Sequence, residues 1–171
     1  MAYGTTTTTF CGTPDYIAPE ILNYTPYDHS VDWWSLGVLM FEMLTGEAPF
    51  DGEEEEELFR SIRCQRIRFP RWCTAETIDA LRGFLTRNPA TRLGAGGAAG
   101  VAQIKSCKYF ASVDWGSAEV RGLQPPIVPK KKVADNFDPE FTSQAAKLTP
   151  ASKDEAKGID QSAFADFDWS R

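Results

Sequence analysis

The most apolar stretch of the chain is residues 33–44, within a helix predicted to follow Ser30. Apolar side chains occupy nearly every face of a helix there: Val31, Trp33, Trp34, Leu36, Val38, Leu39, Phe41, Met43 and Leu44. A helix that is apolar all round is normally buried, so we expect this segment to form the centre of the core. Ser30 is suited to cap its first turn, and Gly46 stands where a C-terminal cap is expected.

A second helix is predicted to contain the glutamates of residues 53–57 in its first turns, where their charges favour the positive end of the helix dipole. Leu58, Phe59 and Ile62 give it an inward apolar stripe. Residues 94–100 form a glycine–alanine loop, and a short helix that ends near Phe110 is expected after it.

A third helix is predicted between Thr74, which can cap it, and residues 88–89, where an Asn-Pro pair would end it. Its apolar positions are spaced three, four and seven apart: Ile78, Leu81, Phe84 and Leu85. Because no alternation typical of β-strands runs for any length, the fold is expected to be mainly α.

From about Gly122 the sequence loses this periodicity and becomes polar, with several prolines. Such a segment is not expected to fold as an independent domain. It ends in Phe164, Phe167 and Trp169, aromatic residues that are costly to leave in water. An extended tail of this kind is predicted to wrap another surface and to place its aromatic end in a pocket.

Charge and cysteine content exclude several classes of protein. The chain has 18 basic and 24 acidic residues and a net charge of −6, which disfavours nucleic acid as a partner. The apolar stretch is shorter than the roughly 20 residues that cross a bilayer, so no transmembrane segment is expected. The four cysteines form no C-x-x-C pair and His29 is the only histidine, so no metal site is expected and a reduced, intracellular chain fits best.

Three motifs of the first 94 residues resemble parts of a protein kinase. Residues 9–20 read T-F-C-G-T-P-D-Y-I-A-P-E and resemble the activation segment, which closes on the A-P-E signature. Residues 32–38, D-W-W-S-L-G-V, resemble the start of the buried central helix of the kinase C-lobe. Residues 87–94, R-N-P-A-T-R-L-G, resemble a later loop of the same lobe.

The remaining motifs resemble the C-terminal tail of the AGC group of kinases. They lie at residues 136–142, 148–150 and 164–169, in the order and spacing of that tail. Protein kinase C is the nearest family, with protein kinase N next. The resemblance implies a partial kinase C-lobe followed by an extended, irregular tail.

Several kinase motifs do not occur in these 171 residues. The sequence has no Gly-rich phosphate loop, no V-A-I-K lysine, no H-R-D loop and no D-F-G triplet. Residues 94–100 are rich in glycine, but their sixth position is Ala99 and a helix precedes them, so no nucleotide site is expected there. The resemblance implies that ATP and Mg belong to the complete kinase, and that this C-terminal fragment binds neither and is inactive alone.

The resemblance also assigns roles within the activation segment. Thr9 matches the site that an upstream kinase phosphorylates, a role that Thr7 or Thr8 could share. The alternative is one hydroxyl among five on a mobile loop. Thr13 matches the threonine that supports the catalytic aspartate, and a simple turn residue is the alternative. The substrate-positioning residues implied are Thr13, Pro14, Asp15 and Tyr16.

Two structural roles follow from the same comparison. Glu20 and Arg92 resemble a buried ion pair that joins the activation segment to the helical core. Asp32 matches the residue that anchors the backbone of the catalytic loop, and a charge among apolar neighbours needs such a partner. The alternative for Asp32 is a favourable position at the N-terminus of the helix.

In the tail, Phe137 resembles the aromatic residue that approaches the adenine pocket, with plain packing as the alternative. Thr149 matches the turn-motif phosphorylation site, and otherwise belongs to a Thr-Pro turn. The hydrophobic motif comprises Phe164, Phe167, Asp168 and Trp169. Asp168 stands where Ser or Thr is commonest in the family, so a permanent negative charge is expected to replace a regulated phosphate.

The sequence is therefore divided into a partial activation segment (1–30), a helical C-lobe (31–110) and a tail (111–171). The function implied by the resemblance is a cytoplasmic Ser/Thr protein kinase, recruited to membranes only through regulatory domains outside this sequence. The expected partners are basic protein substrates, an upstream activating kinase and the N-lobe. The glutamates of residues 53–57 would attract basic substrates if they are more than a solvated helix start. The alternative is a non-catalytic interaction protein that binds through the helical lobe and the aromatic tail.

Overall fold

The computed structural model describes residues 4–147, 160 and 162 of the chain. The chain divides into two compact units, Met1–Leu123 and Gln124–Arg171. The only β pairing among the described residues is one antiparallel bridge, between Thr7 and Tyr27. The prediction of a mainly α protein is therefore confirmed.

Six α-helices lie within the described residues of the first unit: α1 (Pro19–Leu22), α2 (Ser30–Thr45), α3 (Glu55–Cys64), α4 (Ala75–Phe84), α5 (Ala98–Ser106) and α6 (Trp115–Glu119). Short 3-10 helices occur at Pro14–Tyr16, Pro89–Thr91 and Lys108–Phe110. In the second unit the described residues include α7 (Pro139–Thr142) and a 3-10 helix at Val133–Asn136.

The start of α2 differs from the prediction. Ser30 is the first helical residue rather than the cap, and the cap position is His29. The side chain of Asp28 accepts a hydrogen bond from the Ser30 amide at 2.8 Å and so satisfies one of the free N–H groups of the first turn. Burial alone would raise the pKa of Asp28, but hydrogen bonding to Ser30 together with the nearby His29 and Arg92 side chains holds the pKa below its ordinary value. Asp28 and Ser30 are both residue types that can cap a helix, and the backbone places the Asp28 carboxylate within hydrogen-bonding distance of the first turn.

The end of α2 is as predicted. Gly46 adopts a left-handed conformation with φ of 79°, which glycine enters without a steric penalty. Its amide donates a hydrogen bond of 2.8 Å to the carbonyl oxygen of Glu42. The helix therefore ends in a glycine cap.

The core forms around α2, which packs against α4 and against the 3-10 helix Pro14–Tyr16. Trp34 and Val38 are fully buried. The expectation that all faces are buried is wrong for one stripe, because Leu39 and Met43 are 43% and 70% exposed. The described residues cover the other faces of the helix but leave this one open.

Gly37 sets how closely α2 and α4 approach each other. A Cβ atom built on Gly37 would lie 2.7 Å from the Cβ of Phe84 and 3.0 Å from a methyl carbon of Leu85. That separation is too short for carbon atoms, so only glycine fits here. Phe84 and Leu85 consequently pack directly onto the α2 backbone.

The other helices begin and end close to their predicted positions. Thr74 caps α4 by accepting a hydrogen bond from the Thr77 amide at 3.3 Å, as predicted. Two boundaries are wrong: α4 ends at Phe84, before the Asn-Pro pair, and α5 already begins at Ala98 within the predicted loop. A glycine-rich run resists helix formation only while its glycines dominate, and here alanines follow them.

The described part of the second unit, residues 124–147, is exposed throughout. Asn136 orders one turn within it, because its Oδ1 accepts a hydrogen bond from the Lys130 amide at 2.7 Å. The Asn136 side-chain amide donates to the carbonyl oxygens of Lys130, Lys132 and Val133 at 3.1 to 3.2 Å. One side chain therefore fixes a turn that carries three lysines.

Candidate functional site

The segment that carries Thr9 is tied to the residues preceding α2. Thr7 and Tyr27 exchange two backbone hydrogen bonds of 3.0 Å. The buried Tyr27 also donates its hydroxyl hydrogen to the carbonyl oxygen of Thr9 at 2.6 Å. These contacts hold the backbone of Thr9 while its side chain remains exposed, so the hydroxyl is accessible from solvent.

Residues 13–16 form a tight turn against α2. The Tyr16 amide donates to the carbonyl oxygen of Thr13 at 2.9 Å, and the hydroxyl of Ser35 on α2 donates to the Tyr16 carbonyl at 3.0 Å. Thr13 is exposed, and Pro14 and Asp15 are half-buried. The four predicted positioning residues therefore lie on one short turn whose backbone is fixed from the helix beneath it.

The phenol of Tyr16 donates a hydrogen bond to the carboxylate of Glu42 on α2. This bond favours the neutral phenol, and together with burial and the negative charges of Glu42 and Asp15 it raises the pKa of Tyr16 above its ordinary value. Sequence analysis did not single out Glu42. The available signal was an acidic residue inside an otherwise apolar helix, which requires a polar partner.

An open pocket of about 340 Å³ lies between this turn and the first turns of α2. Thr13 and Tyr16 line it from one side, and Asp32 and Ser35 line it from the other. Asp32 is exposed, contrary to the expectation of a charge enclosed by apolar neighbours. Its carboxylate makes no hydrogen bond or ion pair with any described residue, so this charge can receive a partner across the pocket.

Glu20 and Arg92 form a bidentate ion pair in the interior. The two Arg92–Glu20 N···O distances are 2.6 and 2.8 Å, and Arg92 is only 1% exposed. Arg92 also donates to the carbonyl oxygens of Ser30 and Thr86 at 2.9 Å, and its guanidinium lies 5.4 Å from the ring centre of Trp34. Each carboxylate oxygen receives one N–H of the planar guanidinium, which is the favoured geometry for this pair.

The predicted acidic surface lies at the start of α3. Residues 53–57 are exposed, and Glu53 and Glu57 line an open groove together with Asp51 and Arg60. The groove is separate from the pocket between Thr13 and Asp32, and it carries more carboxylates than basic groups.

The predicted tail residues are only partly described. Phe137 is 60% exposed. Thr149, Phe164, Phe167, Asp168 and Trp169 lie outside the described residues. In the described part of the chain, no helix is long and apolar enough to cross a membrane, and no group of side chains is placed to hold a metal ion.

Comparison with known families matches two models to the chain. The model of the protein kinase domain matches residues 1–110, and the model of the protein kinase C terminal domain matches residues 134–169. The chain therefore belongs to the protein kinase family, as the motifs of the activation segment and tail predict.

Individual relatives assign the chain more narrowly, to the protein kinase C and N branch of the AGC group. The chain is 48% identical to "Protein kinase C" of Drosophila melanogaster over 96% of its length and 22% of that protein. It is 48% identical to "Protein kinase C delta type" of Homo sapiens over 93% of its length and 23% of that protein. "Serine/threonine-protein kinase N2" of Danio rerio is 44% identical over 99% of the chain and 18% of the relative. The chain thus spans about a fifth of the length of these relatives.

Proposed function

We propose that this chain is the substrate-positioning and regulatory part of a Ser/Thr protein kinase that transfers the γ-phosphoryl group of ATP to protein hydroxyls. The observation that carries the proposal is the pocket that Thr13 and Asp32 line from opposite sides. One side is the exposed turn of the activation segment, and the other is the N-terminus of the central helix. An acceptor peptide and a catalytic loop need such a rigid, polar surface to be held in a reactive geometry.

The binding of the phosphoryl donor is assigned to parts of a kinase other than these 171 residues. The phosphate-binding and metal-binding motifs do not occur in these 171 residues, and the described residues hold no metal-ligating cluster. The side chains of the described residues therefore do not fit a site for ATP and Mg. We therefore assign ATP and Mg to a complete kinase, in which this chain supplies the surface that receives the substrate.

Thr13, Pro14, Asp15 and Tyr16 are proposed to position the substrate. The hydrogen bonds from Ser35 and to Glu42 support this role, because they fix the turn from the core side and leave Thr13 exposed. Asp32 is proposed to accept hydrogen bonds from the backbone of the catalytic loop. Its position on the opposite wall of the pocket, with no partner among the described residues, supports that role.

Thr9 is proposed as the phosphorylation site of an upstream activating kinase. Its exposed side chain supports this assignment, because an upstream kinase must reach the hydroxyl. The hydrogen bond from Tyr27 holds the backbone of this residue. A phosphate here adds a charge of about −1.5 to −2, which can pair with basic groups and order the segment further.

The substrates are proposed to carry basic residues near the target hydroxyl. Glu42 on α2 accepts a hydrogen bond from Tyr16 of the turn at residues 13–16, and Glu53 and Glu57 line the acidic groove. Carboxylates on the surface of a protein attract Lys and Arg side chains and raise the association rate of such peptides by electrostatic steering.

The tail is proposed to join this lobe to the N-lobe of the kinase. Phosphorylation of Thr149, the docking of Phe164, Phe167 and Trp169 in an N-lobe groove, and the charge of Asp168 belong to this proposal. So does the approach of Phe137 to the adenine. The match of the C-terminal domain model to residues 134–169 supports it.

The test is transfer of phosphate to a basic serine peptide in the presence of Mg and ATP. The 171-residue chain is expected to give none. A chimera that joins it to the preceding kinase sequence of the Drosophila relative is expected to be active. Robust turnover by the isolated chain, or an inactive but folded chimera, would contradict the proposal.

A further inference from the structure

A basic surface lies where α3 ends, on a chain whose net charge is −6. Residues 58–75 contain no acidic residue. The same residues carry five arginines: Arg60, Arg63, Arg66, Arg68 and Arg71. So high a local density of one charge is not a consequence of composition, which is acidic overall.

The fold brings two further arginines to this surface. Arg66 follows α3, Arg82 lies on α4 and Arg87 follows α4, and all three line one open pocket of about 300 Å³. Ile67 and Phe69 complete the lining, which contains no carboxylate. We call this the arginine pocket.

Arg87 is fixed in the wall of the arginine pocket. Its Nε donates to the carbonyl oxygen of Ile62 at 2.8 Å, and its Nη2 donates to that of Gln65 at 2.5 Å. The guanidinium also lies 5.7 Å from the ring centre of Phe50. Burial removes water from this cation and lowers its pKa, and no described carboxylate forms an ion pair with it.

The other two arginines are exposed at the mouth of the arginine pocket. The guanidinium carbon of Arg82 lies 5.4 Å from the ring centre of Phe69, which orients the side chain by a cation–π contact. Arg66 is exposed. Within the described part of the chain neither forms an ion pair, so three positive charges share one pocket without compensation.

We propose that the arginine pocket binds the phosphate dianion of a phosphorylated serine or threonine side chain. Three guanidinium groups repel one another, and a dianion between them removes that repulsion. The planar fork of arginine matches the oxygens of phosphate and binds them by paired, charge-assisted hydrogen bonds. Ile67 and Phe69 add an apolar wall for the peptide that carries the phosphate. This site is separate from the substrate pocket and does not rest on the proposed function.

The proposal is tested by fluorescence anisotropy of a labelled peptide with one phosphoserine among neutral residues, titrated with the 171-residue chain. The phosphopeptide is expected to bind at least about tenfold more tightly than the same peptide with serine, because a charged hydrogen bond contributes about 1.5–3 kcal/mol. Arg66→Gln and Arg82→Gln are each expected to weaken binding about tenfold.

Arg71→Gln is the matched control, because Arg71 is an exposed arginine of the same segment that does not line the arginine pocket. It is expected to change affinity by no more than about twofold, as surface charges do. Equal loss in the Arg71 and Arg82 variants would show general charge attraction and overturn the proposal. Equal affinity of the serine and phosphoserine peptides would also overturn it.

Competition with inorganic phosphate distinguishes the source of the anion. Displacement only at concentrations well above those of unlabelled phosphopeptide supports a phosphorylated side chain as the ligand. Displacement by both at the same concentration would overturn that assignment in favour of free phosphate.

Discussion

Arg92 donates two parallel hydrogen bonds to the carboxylate of Glu20 across 72 residues of sequence. Both groups are buried, and the same guanidinium donates to the backbone that leads into α2. The ion pair thereby adds a polar contact to the apolar packing of Ile17, Ile21 and Leu22 in the core. The turn of residues 13–16 is held against α2 by the hydrogen bonds of Tyr16 with Ser35 and Glu42.

Glu20→Gln is predicted to destabilise the chain by about 3–5 kcal/mol, because it leaves the buried charge of Arg92 without its partner. Urea unfolding followed by tryptophan fluorescence measures this loss. Glu55→Gln, an exposed glutamate at the start of α3, is the control and should change stability by less than about 1 kcal/mol. Equal stability of the two variants would show that the ion pair does not support the fold.

The hydrogen bond between Tyr16 and Glu42 predicts a dependence of stability on pH in the alkaline range. The folded-state pKa of Tyr16 is raised, so its contribution is fully present below the unfolded value of about 10 and is lost as pH rises through the folded pKa. Tyr16→Phe is therefore expected to flatten the decline in unfolding free energy above pH 10. Chemical unfolding at several pH values measures the slope, and an unchanged slope would contradict the assignment.

Gly37→Ala is predicted to destabilise the contact between α2 and α4 by about 1–3 kcal/mol, because the added methyl group overlaps Phe84 and Leu85. Gly116→Ala is the control, since its new Cβ would lie no closer than 3.5 Å to the atoms around it. Thermal unfolding of both variants measures the difference. A Gly37 variant as stable as the control would mean that the helices can move apart without cost.

Much of the fold is predictable because local chemistry determines it. Gly46 and Thr74 act as caps where the sequence places them, since each role depends only on residues within one turn. The exposed stripe of Leu39 and Met43 could not be predicted, because hydrophobic periodicity shows which faces are apolar but not which neighbours cover them. Asp28, not the predicted Ser30, supplies the side chain that accepts a backbone hydrogen bond at the start of α2. Which residue does so depends on backbone geometry.

The candidate site divides in the same way. Residues 9–20 are recognisable as a contiguous motif, and Arg92 is recognisable within a second one. The contact between Tyr16 and Glu42 joins residues that are 26 positions apart, and the arginine pocket joins two separate segments. Such contacts depend on how helices pack, so they become visible only in the folded chain.

The substrate-positioning role of Thr13 is tested most directly by the steady-state kinetics of the chimeric kinase with Thr13 altered. Loss of a hydrogen bond to a charged group costs about 1.5–3 kcal/mol, so Thr13→Ala is expected to lower kcat for a basic peptide by about 10- to 100-fold. Thr13→Ser, which keeps the hydroxyl, should restore most of the rate, and the KM for ATP should stay constant in both variants. Equal rates for the alanine and serine variants would contradict the claim that this turn positions the substrate.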